Sequence, residues 1–143
     1  MTIQAISPMT GAVIASYPAM TPAQAAGIVT QAHEAFTAWR RLSFAERAGP
    51  MAAAAAILRR NAADYAALMA REMGKPVRDG VAEIGKCADV CDFFAEQAER
   101  FLSPEPVATE ARKSFVTFQP LGVVLAVMPW NFPFWQVFRF AAP

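Results

Sequence analysis

The chain has 143 residues, 55% of them hydrophobic, with 13 basic and 12 acidic side chains and a formal net charge of +1. So even a balance gives no electrostatic reason to expect nucleic acid or an anionic membrane as partner. The amino terminus lacks the basic stretch and apolar core of a secretory signal, and no apolar run reaches the roughly 18 residues a spanning helix needs, so a cytoplasmic protein is the expectation.

A chain of this length can form one domain with a sizeable core, burying about two-thirds of the surface its unfolded form exposes. The mean hydropathy of +0.25 is high for such a domain. Two readings compete: an alanine-rich helical protein, or a piece of something larger. Ala52 to Ala56 is an unbroken alanine run that inflates the hydrophobic count without adding bulk. The apolar stretch at the carboxyl end has nothing after it to cover it, which favours the piece.

Taken in order, Ile3 to Ile6 and Ala12 to Tyr17 read as short extended stretches about a turn at Ser7-Pro8-Met9-Thr10-Gly11. Thr21-Pro22-Ala23-Gln24 supplies a helix N-cap, a proline at the first helical position and a capping-box glutamine. Ala25, Ile28, Val29, Ala32, Ala35, Phe36 and Trp39 follow at helical spacing. Ser43-Phe44-Ala45-Glu46 is a second capping box, opening a helix toward Arg60 with an early irregularity at Gly49-Pro50. A third helix is predicted from Ala62 to Glu72, stopped by Gly74 and Pro76. The fourth and longest runs from about Val77 to Phe101. Its apolar stripe is Val81, Ile84, Cys87, Ala88, Cys91, Phe94, Ala95 and Ala98, with Glu83 among the charges of the opposite side. Ser103-Pro104-Glu105-Pro106 reads as a stiff linker, Lys113 to Gln119 as a strand, and Gly122 to Val127 as a fully buried strand.

Cys87 and Cys91, four apart, share one helix face; without a second pair or a histidine cluster they read as small hydrophobes rather than metal ligands. His33 reads as a surface or interface histidine. Lys75, Glu72 and Glu83, at a turn and on helix faces, read as solvated charges. Asn131 is the sharpest chemical candidate. It lies between Pro129 and Pro133, just past the carboxyl end of the expected buried strand, where an open α/β sheet presents groups to ligands. Locally, its amide either donates to an oxygen that becomes negative during reaction or closes an Asx-type turn. Arg139, on an otherwise apolar segment, needs an anion: a bound carboxylate suits its fork, and a structural salt bridge or an exposed helix charge are the other readings.

The run Pro120-Leu121-Gly122-Val123-Val124-Leu125-Ala126-Val127-Met128-Pro129-Trp130-Asn131-Phe132-Pro133 resembles the first nucleotide-domain strand and following loop of the aldehyde dehydrogenase superfamily. Phe134-Trp135-Gln136-Val137-Phe138-Arg139 is most similar to its succinate-semialdehyde dehydrogenase branch. Ser7 to Ile14, Ala32 to Arg40, Ala45-Glu46-Arg47 and Glu72-Met73-Gly74-Lys75-Pro76 resemble further family segments, in order and at family spacing. The resemblance implies an α/β fold: the N-terminal part of an aldehyde dehydrogenase-type nucleotide-binding domain, helices first and then β-strands, ending after the first buried strand. Residues 21–102 are then its helical part, 103–119 a linker and an oligomerisation-type strand, and 120–143 the first nucleotide-domain strand with the active-site loop.

The same resemblance implies site roles. Asn131 is the oxyanion donor, and Met128, Pro129 and Trp130 line the cofactor cleft for NAD or NADP, largely through backbone atoms. Phe132 walls the substrate tunnel, Arg139 binds the substrate's distal carboxylate, and Phe134 and Trp135 stand between tunnel and core. The implied reaction is oxidation of succinate semialdehyde or a similar short aldehyde, in a homo-oligomer and without a metal. The family's nucleophilic cysteine and general-base glutamate match no residue of this chain, so the 143-residue chain is expected to be inactive alone. The alternative is a non-catalytic helical module that docks on a full-length dehydrogenase subunit.

Overall fold

The computed structural model describes all of residues 1–143. Strands β1 (Thr2–Ile6) and β2 (Val13–Pro18) form an antiparallel hairpin, with Ile3 opposite Tyr17 and a bulge between Ala5 and Ile6. Four helices follow: α1 (Pro22–Trp39), α2 (Phe44–Arg60), α3 (Ala62–Met73) and α4 (Val77–Leu102). A two-residue ladder pairs β3 (Glu105–Pro106) with β4 (Phe115–Val116), and α5 (Pro133–Ala141) ends the chain.

The helix ends are written in local chemistry. Thr21 Oγ1 accepts from the Gln24 amide at 3.2 Å while Gln24 Oε1 accepts from the Thr21 amide at 2.8 Å. Ser43 and Glu46 repeat the device at 3.2 and 2.7 Å. Each box satisfies two of the amides that a helix start leaves unpaired. Helix α2 continues through Pro50, so the expected irregularity there does not interrupt it. Helix α3 stops because Gly74 takes φ +74°, a left-handed cap that side-chain-bearing residues rarely adopt, and Pro76 then bars continuation.

The core lies between α2, α3 and α4, with α5 laid across it. Ala55, Leu58, Met69, Ile84, Cys87, Ala88 and Cys91 are its buried members, flanked by Phe134, Trp135 and Phe138. Full burial of a side chain such as Ile84 contributes about 1.5–3 kcal/mol. Arg59 ties α2 to α4 from outside the core, donating to Asp92 at 2.6 Å and Asp89 at 2.8 Å. Those two carboxylates, Asp92 foremost, raise the Arg59 pKa further above its ordinary value. Helix α1 stands apart, with no buried residue; Ile28 and Val29 of its expected stripe are exposed. None of the helices is long and apolar enough to cross a membrane.

Two strand expectations are corrected. Lys113 to Gln119 forms a strand only at Phe115–Val116, and its partner is Glu105–Pro106, the segment read as a linker. Gly122 to Val127 forms no strand, and it is not buried: Val124, Leu125 and Val127 are 54, 87 and 89% exposed. Composition can nominate a strand, but a ladder needs a neighbour to receive its N–H and C=O groups. The present residues place none beside 122–127.

Candidate functional site

An open cleft of about 750 Å3 lies between the amino-terminal half of α4 and the loop entering α5. Its walls include Lys75, Asp79, Glu83 and Lys86 on one side and Pro129, Asn131, Phe132, Trp135, Gln136 and Arg139 on the other.

The junction that builds this cleft is a single carboxylate. Helix α5 begins after Phe132, a residue with no side-chain oxygen to cap it, and Pro133 occupies its first position. Glu83, reaching over from α4, supplies the missing acceptor: its Oε1 receives the amides of Phe134 at 3.0 Å and Trp135 at 2.9 Å. The partial positive charge of a helix start favours an anion there. The other oxygen, Oε2, pairs with the Lys75 ammonium, and the two side chains are only 3% and 9% exposed. Lys75 also donates to the Asn131 carbonyl oxygen at 3.5 Å and lies 3.9 Å from the centre of the Phe132 ring.

Lys75 and Glu83 are therefore not the solvated charges the sequence suggested. Glu83 sits four residues before Cys87, on the buried seam of α4 rather than its polar side. That spacing is the signal that could have placed it. Glu72 is half-buried, and His33 is exposed as expected.

The expected site residues are only partly brought together. Asn131 and Arg139 both face the main cleft. Asn131 is exposed and its side-chain amide makes no Asx-type bond, since only its backbone carbonyl is engaged. Arg139 is exposed, enters no ion pair, and also lines a smaller cleft of about 440 Å3 with Met128, Pro129, Gln136 and Phe140. Trp130 faces elsewhere: it lines a separate hollow with Leu68, Met69 and Phe134. The Phe132 ring is taken up by Lys75. Phe134 belongs to the core, its ring 5.1 Å from that of Tyr65. Trp135 serves both places, packing on the core and carrying the Lys86 ammonium 3.7 Å from its ring centre.

With Lys75 and Glu83 neutralising each other, Lys86 and Arg139 stand against Asp79 alone, and the cleft favours an anion. Cys87 and Cys91 are fully buried, away from that cleft, in the helix seam. Burial, reinforced by the nearby Glu83 charge, pushes the Cys87 thiol up to about 12; burial and then Asp92 raise that of Cys91. Neither thiol is disposed to act as a nucleophile.

Over residues 1–143 the sequence matches the aldehyde dehydrogenase family. It is 48% identical to the probable succinate-semialdehyde dehydrogenase (NADP(+)) of Synechocystis sp., covering the whole of this chain and 32% of that protein. It is 42% identical to succinate-semialdehyde dehydrogenase (NADP(+)) 1 of Mycobacterium bovis, again over 100% of this chain and 32% of the relative. Among solved structures, succinic semialdehyde dehydrogenase from Streptococcus pyogenes in complex with NADP+ superposes with a TM-score of 0.92 at 36% identity. That match covers 97% of this chain and 31% of the other. The chain thus spans about a third of the length of the relatives it matches.

Proposed function

Since the chain belongs to the aldehyde dehydrogenase family, we propose that it supplies the oxyanion-holding and carboxylate-holding part of an NADP-dependent succinate-semialdehyde dehydrogenase. The observation that carries this reading is Asn131: an exposed amide, free of local bonds, on a loop whose carbonyl is tied down by Lys75. As the aldehyde carbon is attacked, its oxygen gains negative charge, and a positioned amide N–H stabilises that charge. Arg139, unpaired on the wall of the same cleft, holds the substrate's distal carboxylate through its two-pronged fork. The substrate and cofactor are carried over from the Synechocystis and Mycobacterium relatives.

The residues present fit a dinucleotide's nicotinamide end. No backbone group of Met128, Pro129 or Trp130 takes part in a backbone hydrogen bond, which leaves N–H donors and C=O acceptors for an amide and sugar hydroxyls. Met128 and Pro129 wall the smaller cleft beside Arg139. Bound there, NADP would supply the hydride acceptor. Because both cysteines are buried and their thiol pKa values are raised, the nucleophile is assigned to a part of the enzyme outside these residues. In that enzyme, 21–102 forms the helical part of the nucleotide-binding domain, 103–119 an inter-subunit strand region, and 120–143 the first nucleotide-domain strand and active-site loop.

The test is Asn131→Ala in the full-length dehydrogenase carrying these residues. Turnover of succinate semialdehyde should fall on the order of 100–1,000-fold. A wild-type rate would overturn the assignment. The 143-residue chain alone should reduce no NADP in the presence of the aldehyde. A second reading, a non-catalytic module that docks on a dehydrogenase subunit, draws on Leu121, Leu125 and Val127, which are 98, 87 and 89% exposed. It expects the chain to bind such a subunit and no dinucleotide.

A further inference from the structure

The geometry points to Lys75 and Glu83 as positioning residues that set where the Asn131 amide stands, a role that rests on the function proposed for Asn131. Three segments meet at this pair: the turn after α3, which carries Lys75; the second turn of α4, which carries Glu83; and the loop into α5, which carries Asn131. The ammonium holds the carbonyl oxygen of Asn131 itself at 3.5 Å. The carboxylate holds the amides of Phe134 and Trp135, just past the loop, at 3.0 and 2.9 Å. Asn131 therefore has an anchor on its own backbone and a second one just downstream, and both run through one ion pair shielded from water.

Neither side chain reaches the reacting atoms through these bonds. Their effect is to remove freedom from the Asn131 backbone, so that its amide keeps a fixed direction while the substrate oxygen becomes charged. A donor whose benefit appears as charge develops acts on kcat rather than on substrate binding. A displacement of about 1 Å in such a group can cost on the order of 100-fold.

The experiment is a cycle in the full-length dehydrogenase. Lys75→Met alone would strand a buried carboxylate and could unfold the protein, so Lys75→Met is combined with Glu83→Gln. That neutral pair keeps a carbonyl oxygen for the Phe134 and Trp135 amides. With folding checked by circular dichroism and active sites counted by burst amplitude, kcat per site should fall about 10–100-fold. KM for the aldehyde should stay within about twofold. Lys75→Arg, which retains the cation, should keep most of the wild-type rate. Adding the double variant to Asn131→Ala should slow that single variant little further, because the pair acts through Asn131. If the double variant turns over at the wild-type rate per site, or if its effect adds fully to that of Asn131→Ala, the positioning role is wrong. If Asn131→Ala itself runs at the wild-type rate, the functional reading fails and this role falls with it.

Discussion

Gly80 of α4 lies against Ala66 of α3 so closely that a Cβ at position 80 would stand 2.9 Å from the Ala66 Cβ and 3.0 Å from its Cα. This contact leaves no room for a side chain at position 80, where α3 and α4 meet. In a helix interior, alanine in place of glycine gains about 1 kcal/mol. Met69 Cε, at 3.1 Å, can swing aside, but the two nearer atoms are a short side chain and backbone, which cannot. Overpacking costs about 1–3 kcal/mol, and with backbone as the obstacle the upper part of that range applies. Gly80→Ala should therefore lower the urea midpoint of unfolding, against the sign that helix propensity alone gives.

Ser43 and Glu46 make a local stability element with a pH signature. Removing the hydroxyl in Ser43→Ala should cost about 0.5–2 kcal/mol at neutral pH. The Ser43 amide, and then its hydroxyl, hold the Glu46 carboxyl below its ordinary value of 4.5. A depressed folded-state pKa means that this contribution is present above pH 4.5 and fades as the pH falls through the lower, folded value. Because Ser43→Ala leaves the amide in place, the pH signature is read with Glu46→Gln: denaturation of wild type and Glu46→Gln from neutral to acid pH should show the gap between them narrowing toward the acid end.

The two thiols should be silent in the folded protein. At mildly alkaline pH a disulfide reagent should titrate neither Cys87 nor Cys91 until denaturant is added, and then both. Since the folded Cys87 pKa is raised from 9.0 to about 12, the stability linked to its neutral form is complete below pH 9.0 and is lost as the pH climbs toward 12. Cys87→Ala should flatten that alkaline loss, even though it lowers stability at neutral pH. A wild-type protein whose thiols react at once under native conditions would contradict their burial.

Arg139 makes a substrate-selective prediction for the full-length dehydrogenase. Arg139→Met should raise KM for succinate semialdehyde while leaving an uncharged short aldehyde nearly unaffected. A carboxylate–guanidinium contact contributes about 1.5–3 kcal/mol, which corresponds to roughly 10–150-fold. An equal change for both aldehydes would remove Arg139 from carboxylate recognition. It would point instead to Lys86, the other cation of the cleft that is not held in an ion pair.

Much of the architecture was legible from residues within one turn of each other. Thr21 with Gln24, Ser43 with Glu46, and Gly74 before Pro76 mark helix ends through bonds and backbone angles that close over a few positions. The cysteine seam of α4 was legible for the same reason, since helical periodicity is local. Asn131 was legible as a group facing a cleft, though not its lack of an Asx bond. Of the residues assigned to the cofactor cleft, Met128 and Pro129 share one hollow while Trp130 turns to another. Alternation along a loop cannot be read without its backbone path.

The sequence by itself determined where helices α1 to α4 run, and that the aldehyde dehydrogenase pattern extends through the whole chain. Only the tertiary structure decided the fate of Glu83 and of residues 122–127. A buried carboxylate is tolerable when particular amides and an ammonium converge on it. Those partners of Glu83 lie 51, 52 and 8 residues away in the chain. A strand likewise exists only through a neighbour that completes its ladder. Both depend on which distant segments meet, and that is a property of the folded chain rather than of any window of sequence.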